Sequence, residues 1–301
     1  MGLSDEIISG PKKSLTISDH DRNFAGMKYV YPVVSRRAKG VSIGINLSPN
    51  NACNWRCIYC QVPNLARGSS PPLDFPLFAA ELDRMTSAIC LGTYFEDHAP
   101  PEARQLKDFA FSGNGEPTSC PDFAAAVEHV GEVRERFGLS DRVNVVLITN
   151  GSLVRQPSVQ SGLERLASLD GEAWFKLDRG GDVALAATNG VPVSVEKQVS
   201  RLVQLSQRCR TRVQSCWFMT DGRGPTPSEQ DDYLKSLELA LEQGANIASV
   251  QLYTLARKPL LPEGASLSPL PSAWLAELGS KVEMLGILVE LGTECTESGS
   301  P

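Results

Sequence analysis

The sequence predicts a parallel α/β fold, because apolar, β-rich runs alternate with stretches of helical spacing along most of the chain. The chain has 301 residues, of which 42% are hydrophobic, and this is enough for one barrel or for two smaller domains. Pro-rich breaks fall between the proposed strands and helices and support the division of the chain into these elements. The predicted strands are residues 41–47, 108–112, 143–149, 173–177, 212–219 and 247–254.

Helices are predicted between these strands where apolar residues recur every three or four positions. We expect Ser228 to be the N-cap of one helix and Gly244 to lie at its C-terminal end. A last helix is expected from Ser272 to Leu285, followed by a short strand at 287–289, and this segment should close one end of the sheet. The other apolar stripes are Phe123, Val127, Val130 and Phe137, and Val195, Val199, Leu202 and Leu205.

Polarity and periodicity suggest the domain boundaries. We expect a polar, disordered tail at 1–28, a core at 29–258, and a C-terminal extension ending in a polar tail at 259–301. The net charge is −6, so there is no global basic surface of the kind that binds nucleic acid. The sequence shows neither a secretory signal nor an apolar run of roughly 20 residues, so we expect a cytoplasmic protein without a membrane segment.

Three of the eight cysteines lie close together in a CxxxCxxC arrangement: Cys53, Cys57 and Cys60. Soft thiolates are ligands of zinc and of iron–sulfur clusters. Three thiolates on a four-iron cluster leave one iron open to an exchangeable ligand. The alternatives are a zinc site completed by a distant residue such as Cys120, or thiols without a shared role. The other cysteines are scattered and do not suggest a disulfide framework, which fits a reducing compartment.

With Tyr59 directly before the third cysteine, this run resembles the cluster-binding loop of the radical S-adenosylmethionine (SAM) superfamily. The resemblance implies a partial (β/α)6 barrel and a [4Fe-4S] cluster whose open iron binds SAM, with Tyr59 near the cofactor. It also implies reductive cleavage of SAM to a 5′-deoxyadenosyl radical, which abstracts hydrogen from a substrate. The electron donor implied is a protein of the flavodoxin or ferredoxin type.

A polar motif follows the second predicted strand, and functional groups of parallel barrels gather at such carboxyl ends. Gly113, Asn114, Gly115 and Glu116 belong to an SGNGEPT run that resembles the GGE motif of the superfamily. The resemblance implies that this loop contacts the amino group of SAM through the Glu116 carboxylate or through main-chain carbonyls. The alternative is a turn with an exposed glutamate.

Three further strand ends carry candidate site residues. Asn150 lies in a TNGS run, which the resemblance places near the cofactor or the substrate. Strand alternation puts Lys176 and Asp178 on one face. For this pair the resemblance implies contact with the ribose or methionine part of SAM, and a structural ion pair is the alternative. Gln251 is implied in adenine binding, and Arg257 is a candidate clamp for a substrate carboxylate or phosphate.

A narrower resemblance spans about residues 29–260 and begins at a PVVSRR run. It is to the Fe–S oxidoreductase family that includes the tRNA 4-demethylwyosine synthases, and it makes Arg36 and Arg37 candidate substrate contacts. No cysteine precedes Cys53, so the second cluster of archaeal-type members is not expected. The substrate stays open among an RNA base, a peptide and a small metabolite. The alternative function is a non-catalytic module that binds zinc or an Fe–S cluster.

Overall fold

This computed structural model describes residues 15–16, 26–35 and 40–292. The described residues form two compact units. The first lies within Met1–Asn54, Leu65–Trp174 and Arg208–Arg210, and the second within Trp55–Asn64, Phe175–Gln207 and Thr211–Pro301. Most of the tail predicted at 1–28, the end of the C-terminal tail, and both Arg36 and Arg37 lie outside the described residues.

The secondary structure alternates between strands and helices. The strands are β1 (Val30–Ser35), β2 (Gly40–Asn46), β3 (Ala52–Cys53), β4 (Ala66–Arg67), β5 (Leu106–Ser112), β6 (Asn144–Thr149), β7 (Glu172–Lys176), β8 (Arg210–Cys216), β9 (Phe218–Thr220), β10 (Ile247–Tyr253), β11 (Leu267–Pro269) and β12 (Val289–Leu291). The α-helices are α1 (Phe75–Leu91), α2 (Tyr94–His98), α3 (Phe123–Arg136), α4 (Pro157–Ser168), α5 (Asp182–Asn189), α6 (Val195–Ser206), α7 (Pro227–Glu242) and α8 (Ser272–Glu283).

The sheet of the first unit has the strand order β1-β2-β5-β6, with the start of β7 beside β6. Strand β1 pairs antiparallel with β2, whereas β2, β5 and β6 are parallel. Pro32 lies in β1, and an edge strand tolerates proline because it needs fewer ladder donors. Helix α1 packs against α3, and α3 packs against α4.

The core of the first unit holds the carboxyl ends of its parallel strands in place. Ile43, Ile45, Phe109 and Phe111 of β2 and β5 are fully buried. Phe123 at the start of α3 meets Phe111 edge to face, with ring centroids 5.8 Å apart. Burial of this kind on parallel strands indicates that helices cover the sheet. The strand ends, and the loops that follow them, are therefore fixed by a rigid core.

The second unit contains the end of β7, followed by the parallel strands β8, β10 and β12. Helices α5 to α8 belong to it, and its core includes Trp217, whose ring lies edge to face with Tyr233 at 5.3 Å and near Trp274 at 5.4 Å. Helix α7 begins with a capping box, in which Thr226 and Glu229 bind each other's backbone N–H groups.

The predicted fold class is confirmed, and each of the six predicted strand runs contains a strand. The run at 212–219 is divided into β8, which pairs parallel with β10, and β9, which pairs antiparallel with β11. The prediction of Ser228 as an N-cap is wrong: Thr226 caps α7, with Pro227 as the first helical residue.

The C-terminal segment contains the expected helix, α8, and a strand after it. That strand is Val289–Leu291 instead of 287–289, and it pairs with β10 at one end of the sheet of the second unit. Strand β1 was not predicted, and helices α1, α2, α4 and α5 were not located individually. None of the described helices is long and apolar enough to cross a membrane.

Candidate functional site

In the first unit, Glu116 is the central side chain of the loops that follow β5 and β6. It is only 3% exposed, so the alternative of an exposed glutamate is wrong. Its Oε1 accepts hydrogen bonds from the Thr118 N–H (3.1 Å), the Thr118 hydroxyl (2.7 Å) and the Thr149 hydroxyl (2.7 Å). Its Oε2 accepts from the Asn150 N–H (2.7 Å). Glu116 thus fastens the SGNGEPT loop to the TNGS loop.

All four donors to Glu116 are neutral, and this determines its protonation chemistry. Burial raises the pKa of Glu116 above its ordinary value, and the hydrogen bonds offset only part of that rise. The Glu116 carbonyl is engaged too, because it accepts from the Ser119 N–H (3.0 Å) and hydroxyl (2.7 Å). The described contacts of Glu116 are therefore those of a residue that holds the loop.

The glycines of this loop allow its backbone to approach two neighbouring segments. Gly113 has a φ of +116°, and a Cβ there would lie 2.6 Å from Oδ1 of Asn46. A Cβ on Gly115 would lie 2.0 Å from the carbonyl oxygen of Ala52, directly before Cys53. Asn114 donates its N–H to the same Asn46 oxygen (3.0 Å). Only glycine fits positions where backbone approaches this closely.

Asn54 connects the start of the cysteine run to the TNGS loop within the first unit. Its Oδ1 accepts from Nδ2 of Asn150 (2.9 Å), and its Nδ2 donates to the Ser152 hydroxyl (2.7 Å). The predicted site residue Asn150 thus uses its side-chain amide to position the residue next to Cys53. The sequence alone did not single out Asn54 as anything but a spacer.

In the second unit, Asp178 is the counterpart of Glu116 and is completely buried. Its Oδ1 accepts from the Cys216 N–H (2.8 Å) and lies 3.2 Å from Nζ of Lys176. Its Oδ2 accepts from the Tyr59 hydroxyl (2.5 Å) and from Nδ2 of Asn189 (2.7 Å). The structural ion pair, which was the alternative to contact with SAM, is therefore present, and the carboxylate is saturated with donors.

Charge pairing determines the protonation states of this cluster. Burial favours the neutral form of Asp178, but Lys176 and the hydrogen-bond donors outweigh it and hold the pKa of Asp178 below its ordinary value. Burial would lower the pKa of Lys176, yet the charge of Asp178 and the hydroxyl of Tyr253, 2.5 Å away, raise it above its ordinary value. Nζ of Lys176 also lies 5.0 Å from the Tyr59 ring centroid, so the cation has an aromatic partner.

The second half of the cysteine run is bound to the end of helix α5. The Arg56 N–H donates to the Asn189 carbonyl (3.0 Å), and the Ile58 N–H donates to the Thr188 carbonyl (2.9 Å). Nδ2 of Asn189 donates to Sγ of Cys57 (3.2 Å). Cys57 also accepts the Cys60 N–H at its carbonyl (2.9 Å). Burial raises the pKa of the Cys57 thiol, and the Asn189 hydrogen bond partly opposes that rise.

Gln251 and Arg257 have structural contacts of their own. Gln251 is buried, accepts from Nε2 of Gln214 (3.2 Å) and donates to Glu290 (3.3 Å). Arg257 is half-buried after β10, and its carbonyl accepts from Nε2 of Gln61 (3.1 Å). Their predicted roles toward adenine and a substrate anion stay predictions.

The chemistry of the donor set fits an Fe–S cluster. None of the described residues Cys53, Cys57 and Cys60 is in a disulfide, and Cys57 accepts an N–H···S bond of the kind that surrounds cluster sulfurs. No group of three or more His, Cys, Asp or Glu side chains that could hold a single metal ion occurs among the described residues. In a four-iron cluster each thiolate binds a different iron, so the three sulfurs need not converge on a single metal ion. The fit of the three cysteines to a cluster therefore depends on their thiol chemistry.

The four scattered cysteines that the structure describes form no disulfide. Cys120, Cys209 and Cys216 are buried, whereas Cys90 on α1 is exposed.

Sequence reasoning missed three residues of the site: Asn189, Tyr253 and Asn54. Tyr253 had a usable signal, because it ends a predicted strand and alternates with Gln251 on one face. Asn189 precedes Gly190 at the end of a helix, and this pair reads as an ordinary helix terminus. Its contact with Cys57 joins residues 132 positions apart, which spacing does not reveal.

Comparisons with curated proteins gave partial matches. No family model matches the chain. Over 156 residues it is 26% identical to a Helicobacter pylori protein called UPF0026 protein, a match covering 49% of this chain and 45% of that protein. Over 132 residues it is 25% identical to the GTPase Obg of Brachyspira hyodysenteriae, covering 44% of this chain and 17% of that protein. The chain thus spans less than half the length of the curated relatives it matches.

Among solved structures, the chain is similar to the crystal structure of a radical SAM methyltransferase from Sphaerobacter thermophilus. The TM-score is 0.55 at 13% sequence identity, covering 84% of this chain and 66% of that one. Methylornithine synthase gives a TM-score of 0.49 at 15% identity, covering 84% of this chain and 65% of that one. At this identity the likeness to the methyltransferase shows a shared fold.

Proposed function

We propose that this protein is a radical SAM enzyme, in which Cys53, Cys57 and Cys60 hold a [4Fe-4S] cluster with one open iron for SAM. The observation that carries the proposal is the triplet of free cysteines in its CxxxCxxC spacing. The shared fold with a radical SAM methyltransferase supports it. When bound, the cluster would supply the electron that cleaves SAM to methionine and a 5′-deoxyadenosyl radical, which abstracts hydrogen from the substrate.

The residues of the first unit would hold the start of the cysteine run, at Cys53 and Asn54, and place main-chain groups close to the cofactor. Glu116 fixes the SGNGEPT loop, and Gly115 lets that loop lie directly against the carbonyl of Ala52. Asn150 positions Asn54, within the run itself. These contacts support a role for the loop in which main-chain groups meet SAM and the carboxylate of Glu116 maintains their geometry.

The residues of the second unit would supply the charged surroundings of Cys57. Lys176, Asp178 and Tyr59 are buried or half-buried and mutually bonded, so their positions are set before any ligand binds. Orienting reactants in advance lowers the entropic part of a barrier. We further propose a flavodoxin- or ferredoxin-type electron donor, and a substrate drawn from RNA bases, peptides or small metabolites.

The test is anaerobic reconstitution of the wild type, of Cys57→Ala and of Cys90→Ala, followed by metal analysis and a dithionite-driven assay for 5′-deoxyadenosine. Cys90 is an exposed thiol outside the triplet and is the matched control. We expect about four irons per chain and product formation in the wild type and Cys90→Ala, and loss of both in Cys57→Ala. One zinc per chain in place of iron, or SAM cleavage that persists in Cys57→Ala, would overturn the proposal.

A further inference from the structure

The side-chain amide of Asn189 donates a hydrogen bond to the sulfur of Cys57. Its Nδ2 lies 3.2 Å from Sγ of Cys57 and 2.7 Å from Oδ2 of Asp178, and the side chain is completely buried. An amide nitrogen carries two hydrogens, and the two acceptors account for both of them. The Asn189 amide therefore joins a proposed cluster ligand to the buried charge pair of the second unit.

The orientation of this amide is determined by its neighbours. Rotating it by half a turn would place Oδ1 against the Asp178 carboxylate and, with a cluster bound, against a thiolate sulfur. Both of these only accept, so both hydrogen bonds would be lost. In the observed orientation Oδ1 has no hydrogen-bond partner among the described residues. Leaving a buried acceptor unsatisfied costs free energy. The two donor bonds of Nδ2 outweigh that cost, so the N–H groups are the functional side of the amide.

The backbone around Asn189 keeps the contact in place. The Asn189 carbonyl accepts from the Arg56 N–H (3.0 Å), one residue before Cys57. Gly190 follows with a φ of +62°, and a Cβ there would lie 2.4 Å from the Arg56 carbonyl oxygen. The end of α5 and the cysteine run thus share a close backbone contact that only glycine permits at this position. The side-chain bond is part of a fixed junction.

We propose that Asn189 is a positioning residue that tunes the reduction potential of the cluster through its N–H···Sγ bond to Cys57. This inference rests on the proposed function. An added electron increases negative charge on the cluster sulfurs, and a hydrogen-bond donor stabilises that charge, which raises the potential. Asp178, neutralised by Lys176, takes the second amide hydrogen and holds the first one toward the sulfur.

The experiment compares Asn189→Leu with Thr188→Val in the reconstituted protein without SAM, using a redox titration followed by EPR. Leucine is close to asparagine in size and removes both N–H donors. Thr188 lies in the same helical turn, and its side chain has no described bond to Cys57, so it is the matched control. We expect a more negative midpoint potential in Asn189→Leu and an unchanged one in Thr188→Val. Equal midpoints in Asn189→Leu and the wild type would overturn the inference.

A second measurement detects the contact directly. Wild-type protein containing asparagine labelled with 15N only at the side-chain amide should show 15N coupling to the reduced cluster in pulsed EPR. The side chain of Asn54, next to Cys53, is bonded to Asn150 and Ser152, and loss of the coupling in Asn189→Leu distinguishes the signal of Asn189 from that of Asn54. Absence of the coupling in a wild type that holds four irons contradicts the inference alone. A wild type that holds no cluster contradicts the proposed function itself.

Discussion

Glu116 in the first unit and Asp178 in the second are two buried carboxylates that follow strand ends, and their surroundings differ in kind. Glu116 accepts four hydrogen bonds from neutral groups. Asp178 accepts three from neutral groups and is paired with the cation of Lys176. The pKa of Glu116 is raised, mainly by burial, whereas the pKa of Asp178 is lowered because its charged partner outweighs burial.

This difference shows that the position of a carboxylate after a strand end is not enough to assign it a ligand-binding role. Glu116 joins two loops and has no charged partner among its four hydrogen-bond donors. Asp178 must be ionised to balance Lys176, because an unpaired buried cation is costly. We therefore expect the two carboxylates to respond differently to substitution and to pH.

The largest effect is expected from Asp178→Ala. It leaves the Lys176 cation buried without its partner, and it removes the acceptor for Tyr59 and Asn189. Breaking a buried ion pair by removing one partner costs about 3–5 kcal/mol, so the free energy of unfolding should fall by about that amount. Urea denaturation measures it. The double variant Asp178→Asn with Lys176→Met should recover part of the loss, and a loss for Asp178→Ala within error of zero would refute the charge-balance argument.

The next effect separates backbone crowding from backbone conformation. Gly190 and Gly138 both have positive φ, but a Cβ would lie 2.4 Å from the Arg56 carbonyl oxygen at Gly190 and meet nothing within 4 Å at Gly138. Gly138→Ala should cost about 1–2 kcal/mol, the ordinary penalty for the left-handed region. Gly190→Ala should cost clearly more and should also reduce iron retention. Equal losses of stability in the two variants would show that the junction with the cysteine run is not tight.

A smaller effect is expected from Glu116→Gln. The amide keeps one oxygen for the Thr118 and Thr149 donors but turns an N–H₂ group toward the Asn150 N–H, so one bond is lost. Leaving a buried donor unsatisfied costs about 1–3 kcal/mol, partly offset because a buried charge is no longer needed. Chemical denaturation of the variant tests this. A loss as large as that of Asp178→Ala would mean that Glu116 carries a charge partner comparable to Lys176.

The last prediction concerns the sign of the pH dependence. The ionisation of Glu116 is disfavoured in the folded state, so its contribution to stability is greatest below its ordinary pKa of 4.5 and declines as pH rises through the raised folded value. The contribution of Asp178 is present above its ordinary pKa of 3.8 and is lost as pH falls through the lowered folded value. Urea titrations across pH measure the free energy of unfolding of each protein. As pH rises, the value for the wild type should fall relative to that of Glu116→Gln and rise relative to that of Asp178→Asn. Parallel curves for the two pairs would contradict the comparison.

Much of the fold could be predicted from the sequence, because the parallel strands are continuous apolar runs with clear polar ends. Strand β1 was missed because Pro32 interrupts a short run, although an edge strand accommodates it. Helix α1 was missed despite a usable signal: Asp74 caps it, Pro76 lies in its first turn, and Phe78, Leu82 and Met85 form its buried stripe.

The site was predictable where local rules apply and not where distant segments meet. Alternation was enough to place Lys176 and Asp178 on one face, although β7 ends at Lys176 and Asp178 lies two positions beyond it. Nothing in the sequence shows that Glu116 would be saturated by Asn150, or that Asn189 would meet Cys57, because those contacts join residues 34 and 132 positions apart. Motif reasoning located the loops, while tertiary packing decided what their side chains do.

The central claim, that the three cysteines hold a cluster with an iron open to SAM, is tested most directly by EPR of the anaerobically reconstituted and reduced wild type with and without SAM. The account predicts a reduced-cluster signal that changes when SAM is added, because SAM becomes a ligand of the open iron. A protein that takes up zinc in place of iron, or a cluster signal that is identical with and without SAM, would contradict it.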